Sequence, residues 1–487
     1  MRESLTARIA GRMENMLAVL SPERAVRRRQ FRFAYDALAN HRTHESRTRS
    51  TGRTGDSDLD EASLDRLREI CRDLGRNNPL VKGLLLTEAD DVVGTDTQIQ
   101  VRTEDEGWNK AAEAIVKETM IDRTCDVTGR FNLHKLLHLG YLSYRRDGDA
   151  FMVFADDGPQ LIEGHQCGTP TGKQTKAFDI INGVAVAKKT QRLLGYYIGL
   201  PNKWGYIAAE TWTQYPAGDV FHIFNPDRAS FTRGEPVLTP SVTWIDKLFR
   251  YADAELVAAV VNAALAHYVT INDNGRVPTA WTKGRYSDGK TNDNQKVEKI
   301  EPGMIKYLNQ GEGITAVTPN RPAAAFDPFM LRMLMIVCRP LCMPLMVGTL
   351  DFSGATFMNA RIAYQAAQKN YRREQAHIVI PWATRIARWR LDKAIADGDL
   401  TARETYGIEI KCQRWPYVDP YRESQANKNN LDAGITTAGT LIEEAGGDYR
   451  AHCERVVREA EIRKKTGVDA ARPQPPEKPE ASDDDGK

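Results

Sequence analysis

Four carboxylates crowd one stretch of this 487-residue chain: Asp147, Asp149, Asp156 and Asp157. Paired carboxylates can hold metal ions or move protons, so hydrolytic or nuclease chemistry would start here. Asp147-Gly148, between Tyr144 and Phe151, is also a standard hairpin-turn pair, and the turn is the preferred reading. His134 and His138 stand four apart on a helical pattern over 132–144, a spacing that lets two imidazoles share a metal. No Glu adjoins His134 and no third ligand is near, so two partly exposed histidines on a helix face are expected. Gly168-Thr169-Pro170-Thr171-Gly172-Lys173-Gln174 looks like a phosphate loop at first sight. Such a loop needs four residues between its glycines and Ser or Thr after the lysine, whereas here three intervene and Gln174 follows. GxSxG, HExxH and Cys/His pairings are missing. No catalytic residue, metal or other cofactor is therefore assigned, and the chain is not read as an enzyme.

The elements around these residues form an α+β pattern. Leu64, Leu67, Ile70, Cys71 and Leu74 give helical periodicity over 59–74, stopped by Asn77-Asn78-Pro79. From Thr97 to Val237 short strands are expected at 97–101, 150–154, 183–186, 196–199 and 220–224, interrupted by the one helix over 132–144. Thr239-Pro240 then predicts a helix start, with Thr as N-cap and Pro at the first position. Ile245, Leu248, Phe249, Ala252, Leu256, Val260 and Ala263 keep one face of that helix apolar as far as about Tyr268. A polar insert, Asn272–Pro322, follows, then an apolar helix over 326–343 and a loop over Pro344–Gly354. Thr356 restarts a helix running past Tyr371, and another spans about 380–395. Short helices fill 419–467, with Asp448 as N-cap and Gly467 as stop of the last.

The first fifty-odd residues carry arginines but no lysine, as in Arg24, Arg27, Arg28, Arg29 and Arg32. They read either as a basic arm touching nucleic acid or a neighbouring subunit, or as a solvated leader. Val468–Lys487 is rich in Pro, Asp and Glu and is expected to be disordered. Net charge is only +2, against a surface coated in cations to grip phosphate. The seven cysteines follow no CxxC or zinc spacing, which points to reduced, mostly buried thiols in a cytoplasmic setting. Met1–Leu20 lacks the continuous apolar run of a signal peptide. Phe329–Val347, the nearest approach to a membrane span, is broken by Arg332, Arg339, Pro340 and Pro344, so no membrane association is expected.

Taken in order, several blocks resemble the lambda-type family of tailed-phage portal proteins. Arg76-Asn77-Asn78-Pro79 with Gly83 and Val92-Val93-Gly94 is similar to an early signature. Asp147-Gly148-Asp149-Ala150-Phe151, Leu161-Ile162-Glu163, Ile181-Asn182-Gly183-Val184 and Leu194-Gly195-Tyr196-Tyr197 continue it. The strongest block is His222-Ile223-Phe224 with Arg228 and Arg233-Gly234-Glu235-Pro236, leading into the long helix. Phe326-Asp327-Pro328-Phe329, Asp351-Phe352-Ser353 with Asn359 and Arg361, and Trp415-Pro416 with Val418-Asp419-Pro420 come later. Met343–Thr349 departs from the pattern, since relatives usually carry a Gly-containing turn and a Tyr-Glu pair there.

The resemblance implies a portal fold: a mixed α/β wing, a long helical stem, a small α/β clip and a helical crown. Residues 1–58 would be an arm, 59–239 the wing, 240–271 and 326–343 the stem helices, and 272–325 the clip. A tunnel loop would occupy 344–357, supporting wing helices 358–426, the crown 427–467 and an acidic tail 468–487. It implies a closed ring of twelve subunits at one capsid vertex of the virion, assembled in the host cytoplasm, with double-stranded DNA passing through it. Expected partners are the terminase large subunit, head-completion or adaptor proteins, and the major capsid and scaffold proteins. Gly348, Thr349, Asp351, Phe352, Ser353 and Thr356 would face DNA from the tunnel loop. Arg276, Lys283, Arg285, Lys290 and Lys296 make the clip locally basic, for DNA or partner docking or as ordinary solvated cations. Two other readings remain: another structural component of the phage head or connector, and a metal-dependent nucleic-acid enzyme using Asp147–Asp157.

Overall fold

A computed structural model describes residues 54–95, 97–121, 125–170, 177–264, 268–271, 312–315, 326–413, 415, 420–444 and 447–466. The arginine-rich residues 1–53, the run Thr171–Gln174, the clip cations Arg276, Lys283, Arg285, Lys290 and Lys296, Pro416–Asp419, Gly467 and the tail lie outside them.

Asp60 opens α1 (Glu61–Asn77) by accepting the Ser63 N–H at 3.0 Å, and Leu64, Leu67 and Cys71 are buried along one face. The Asn-Pro stop is also a start. Asn78 accepts the Val81 N–H at 3.1 Å, and Pro79 sits in the first turn of α2 (Pro79–Val92), a helix the sequence reading did not assign. The strand-rich middle holds two helices where one was expected. Trp108, Ala112 and Val116, four residues apart, bury one face of α3 (Glu106–Ile121). α4 (Leu133–Asp147) starts close to the expected position, where Asn132 caps it, but runs three residues beyond Tyr144. Asp147-Gly148 is therefore the end of a helix rather than a hairpin turn, because Gly148 takes φ +95° and reverses the chain there.

The strands form small antiparallel sheets. β2 (Asp149–Ala155) lies between β3 (Gly158–Glu163) and β8 (Val220–Phe224). β4 (Phe178–Ile181), β5 (Val184–Ala187), β6 (Leu193–Gly199) and β7 (Trp212–Pro216) make a meander. Phe151, Val153, Ile162, Val184, Val186, Tyr196 and Ile198 fill the space between these two sheets. β1 (Gln98–Arg102) pairs with β11 (Gly407–Lys411), roughly three hundred residues away, a pairing with no local signal.

The long helix is shorter than expected. Thr239–Ser241 forms a 3-10 turn, in which Thr239 donates its hydroxyl to Pro236 O at 2.7 Å instead of capping. α5 then spans Val242–Ala264. The supposed end of the helix is strand β9 (Tyr268–Ile271), paired antiparallel with β10 (Glu312–Thr315), so the strand that precedes the polar insert pairs with one inside it. α6 (Phe326–Cys338) also stops early, in a 3-10 turn over Arg339–Leu341, since Pro340 cannot continue the ladder. The expected loop contains α7 (Leu345–Thr349). From α8 (Phe357–Glu374) the chain passes through a π turn, Gln375–Val379, into α9 (Ile380–Asp397). α10 (Pro420–Asp432), α11 (Ala438–Glu444) and α12 (Tyr449–Thr466) follow, and Asp448 caps α12 as expected, accepting the Ala451 N–H at 2.6 Å.

The largest core joins α3, α4, α9 and the face of β2 around the fully buried Trp382. A second core sets α1 and α2 against the roots of α5 and α6 and against α7. Trp382 lies directly on the backbone of Gly140 in α4, where an added Cβ would overlap the indole ring. Gly140→Ala is expected to lower stability by about 1–3 kcal/mol through overpacking, read as a shift in urea midpoint.

Candidate functional site

The carboxylates of Asp147 and Asp149 take different guanidinium partners and do not meet Asp156 or Asp157. Consecutive turns of the backbone aim them apart, into two arginine clusters. Asp149, fully buried at the start of β2, accepts Arg233 Nε at 2.5 Å, Arg233 Nη2 at 3.2 Å and Arg68 Nη2 at 2.7 Å. The remaining Arg233 hydrogens go to the carbonyls of Cys167, Asn182 and Gly164 at 2.6–2.8 Å. Arg68 also donates to Asp147 O at 3.0 Å. Asp147 takes a fork from Arg72 (3.1 and 2.6 Å) and another from Arg146 (2.8 and 3.0 Å). Burial alone would raise the Asp149 carboxyl, but Arg233 and Arg68 hold it well below the ordinary range. Asp147 is likewise pushed up by burial and pulled below its usual value by Arg146 and Arg72.

The two glycines of this region allow the approach. A Cβ on Gly148 would lie 2.5 Å from Gly234 O, and one on Gly234 would overlap Gly148 O. Asp147-Gly148-Asp149 thus docks backbone to backbone on Arg233-Gly234-Glu235-Pro236, and Val237 N–H then donates to Arg145 O at 3.0 Å just before the turn into α5. His222 lies flat between Phe151 (4.4 Å) and Phe224 (3.8 Å), its Nε2 3.4 Å from Asp149. Burial lowers its pKa to about 4 despite the neighbouring carboxylate.

This geometry removes the nuclease reading's site. Both buried carboxylates are saturated by guanidinium forks, and Asp156 and Asp157 are exposed at the β2–β3 hairpin, roughly 20 Å further along the strand. His138 stands 3.2 Å from Asp90, and among the described residues no group of three or more His, Cys, Asp or Glu could hold a metal.

A second dry cluster fixes α8. Arg145 makes a two-pronged contact with Glu88 of α2 (2.9 and 2.7 Å), and Tyr144 donates to the buried Glu374 of α8 at 3.1 Å. Burial opposes charge on Arg145, but Glu88 keeps it firmly protonated. Asn370 donates to Leu341 O at 3.3 Å, and Gln375 to Val92 O at 3.0 Å, so the C-terminal part of the helix behind the 344–357 segment is pinned to the body.

That segment divides in two. Gly348 and Thr349 are half-buried in α7: a Cβ on Gly348 would come within 2.8 Å of Leu84 and 2.9 Å of Cys338 Sγ, and Thr349 donates to Leu345 O at 2.8 Å. Asp351, Phe352, Ser353 and Thr356 are exposed. Asp351 accepts the Ser353 N–H at 3.0 Å, and its carboxyl is held below the usual range by the Ser353 hydroxyl and N–H. Thr356 caps α8 through the Asn359 N–H, as its place in the sequence predicts. Between Pro344 and Ala360 the chain has no Lys or Arg, and Asp351 is the one charge. Leu350, Phe352, Phe357 and Met358 are all more than half exposed there.

α5 and α6 run together from the second core. Ser241 donates to Val337 O at 3.3 Å, and Tyr251 packs on Phe326 and Phe329 with ring centroids 5.7 and 4.9 Å away. Val242, Ile245, Leu248, Met333 and Val337 are buried, but the apolar stripe expected along α5 does not stay covered. Leu256, Val257 and Val260 are more than 60% exposed, and Leu331, Met335 and Ile336 of α6 are open too.

The sequence reading missed Arg68 and assigned no role to Arg233. One signal was available: Arg68 lies on the same face as Leu64, Leu67 and Cys71, and a charge on an apolar helix face calls for a buried counter-charge.

Residues 41–375 match the profile of the family described as "Phage portal protein, lambda family". No curated protein matches the sequence. Among solved structures, the neck of a native GTA particle computed with C12 symmetry is 13% identical with a TM-score of 0.43, covering 78% of this chain and 94% of that one. The neck of an empty GTA particle computed with C6 symmetry is 13% identical with a TM-score of 0.40, covering 81% and 96%.

Asp149→Ala leaves Arg233 and Arg68 without their shared counter-charge and should cost about 3–5 kcal/mol in urea denaturation. His222 has a folded pKa of about 4 against an ordinary 6.5. Below pH 6.5 the unfolded chain gains a proton that the folded chain refuses, so this contribution to stability is lost as pH falls toward 4, at up to about 1.4 kcal/mol per pH unit. His222→Gln should flatten that part of the profile, measured as urea midpoint against pH.

Proposed function

Because the chain belongs to the lambda family of phage portal proteins, we propose that it closes head to tail into a ring of twelve subunits around a DNA channel at one capsid vertex. The observation that carries the assembly is the set of exposed apolar side chains on the α5–α6 pair, Leu256, Val257 and Val260 on α5 and Leu331, Met335 and Ile336 on α6. Large apolar side chains left open in this number on one subunit mark a protein contact, and a head-to-tail contact between unlike faces closes into a ring. In this reading α1 to β8 with α8, α9 and β11 form the wing, α5 and α6 the stem, and β9, β10 and the insert between them the clip. The terminase large subunit and the head-completion or adaptor proteins dock on the clip, with Arg276, Lys283, Arg285, Lys290 and Lys296 as candidate contacts. Helices from residue 427 onward form the crown facing the capsid interior, where scaffold and major capsid proteins surround the assembling ring.

The exposed tunnel segment suits a sliding polymer. Phosphate contacts made by Lys and Arg hold DNA tightly and in one place, and Leu350–Met358 offers Asp351, hydroxyls and apolar side chains instead. DNA then passes during packaging and ejection without being gripped, and the partner motor supplies the energy. Gly348 and Thr349 anchor the loop, while Asp351, Phe352, Ser353 and Thr356 face the channel.

Purified protein examined by light scattering and negative-stain microscopy should give rings with a central hole and a mass twelve times 54.6 kDa. Leu256→Asp combined with Val260→Asp should leave a folded monomer by circular dichroism and abolish the rings. A wild-type chain that stays monomeric under assembly conditions would sink the proposal.

A further inference from the structure

The contacts inside the body and those holding its C-terminal helices differ in kind. In the body the ionic clusters are dry, with Asp149, Asp147 and Glu88 fully buried. From residue 420 to 466, by contrast, no described residue is fully buried. Among the described residues, α10, α11 and α12 reach the body through five polar contacts. Arg361, in the first turns of α8, donates to Glu423 of α10 at 3.3 Å. Lys411 of β11 lies 3.2 Å from Glu443 of α11. Lys110 of α3 donates to Glu454 at 2.8 Å, and Arg450 lies 3.3 Å from Glu106. The Gln100 side chain donates to Asp448, the residue that also caps α12. An open cleft of about 620 Å³, bounded by Gln98, Gln100 and Lys110 on one side and Arg450 and Glu454 on the other, runs through this seam.

Three of the four ion pairs have the same polarity: the body supplies Arg361, Lys411 and Lys110, and the C-terminal helices supply Glu423, Glu443 and Glu454. A repeated polarity makes one docked position favourable over others. Lys110–Glu454 and Arg450–Glu106 are exposed on both sides, while Arg361–Glu423 and Lys411–Glu443 are partly covered. Exposed pairs are the contacts that dissolved salt screens most, whereas buried apolar contacts strengthen slightly or stay constant. From this contrast we propose that α10–α12 form an electrostatic clasp, released as a unit by rising ionic strength while the body stays folded. Arg361 gives the clasp a consequence. It lies one turn beyond Thr356, so release frees the start of α8 from Glu423, and with it the exposed end of the 344–357 segment. The clasp itself follows from the single chain. Its effect on a channel rests on the portal reading.

Hydrogen–deuterium exchange on the full chain, with its assembly state measured in parallel by light scattering, tests this. Between about 0.1 M and about 1 M NaCl the screening length falls from roughly 10 Å to roughly 3 Å. Amides of α10 and α12 should then exchange roughly tenfold faster, the combined effect of several ordinary surface pairs, while α4 stays unchanged. At low salt Lys110→Glu should speed exchange in α12, and adding Glu454→Lys should restore the slow rate. Exchange in α10 and α12 that is equally slow or equally fast at both salts overturns the clasp, as does a Lys110→Glu chain with wild-type rates. Either result stands whether or not rings form, so failure of the clasp and failure of the portal reading are read separately.

Discussion

A carboxylate cannot be left alone in a protein interior, and Asp149 is placed where no water reaches it. Arg68 on α1 and Arg233 on the segment before α5 both have to come to it, which draws three distant stretches of chain to one point. Their convergence sets the Gly148–Gly234 backbone contact, and that contact leaves room for the Val237–Arg145 hydrogen bond immediately before the chain turns into α5. The direction in which the long helix leaves the body thus follows from the counter-charge demanded by one side chain.

The other ionic groups extend this logic with decreasing dryness. Glu88, Arg145, Tyr144 and Glu374 lock α2, α4 and α8 together without solvent, so the helix after the exposed loop has a stiff footing. The loop departs from α7, itself wedged by Gly348 against Leu84 and Cys338, and returns at the Thr356 cap. Rigid ends around a short exposed stretch let Leu350–Thr356 be presented at a defined position without packing on its own subunit. At the far side, α10–α12 rest on ion pairs that are exposed or only partly covered. Strongly held and weakly held parts of one chain meet at α8, which carries both Glu374 and Arg361.

Much of the helical framework was legible because its signals are local. α1, α4, α5, α6 and α8 follow from apolar spacing, the helix starts near Asn132 and Thr356 from the local pattern, and the Asp448 cap from a single residue. The errors are also local in origin. Pro79 read as a stop hid the helix it begins, and β-rich surroundings hid Trp108-Ala112-Val116 in α3. Asp147-Gly148 has the composition of a hairpin turn and of a helix end alike, so its neighbours could not separate the two. In the site, Asp351 to Thr356 were recognisable as a stretch without Lys or Arg. That Gly348 and Thr349 belong to a half-buried helix depends on Leu84 and Cys338, which no nearby residue announces.

Periodicity, caps and proline positions act over a few residues, so the kinds and order of the elements, the near-neutral charge and the cation-free loop were already written in the chain. The meaning of the aspartates was not. Whether Asp147 and Asp149 are turn residues, metal ligands or the centre of an arginine cluster depends on Arg68 and Arg233, which lie 81 and 84 residues from Asp149. Long-range proximity of opposite charges is a property of the packed fold, since a low-dielectric interior and a unique approach of two glycines exist only once α1, β2 and the segment before α5 have come together.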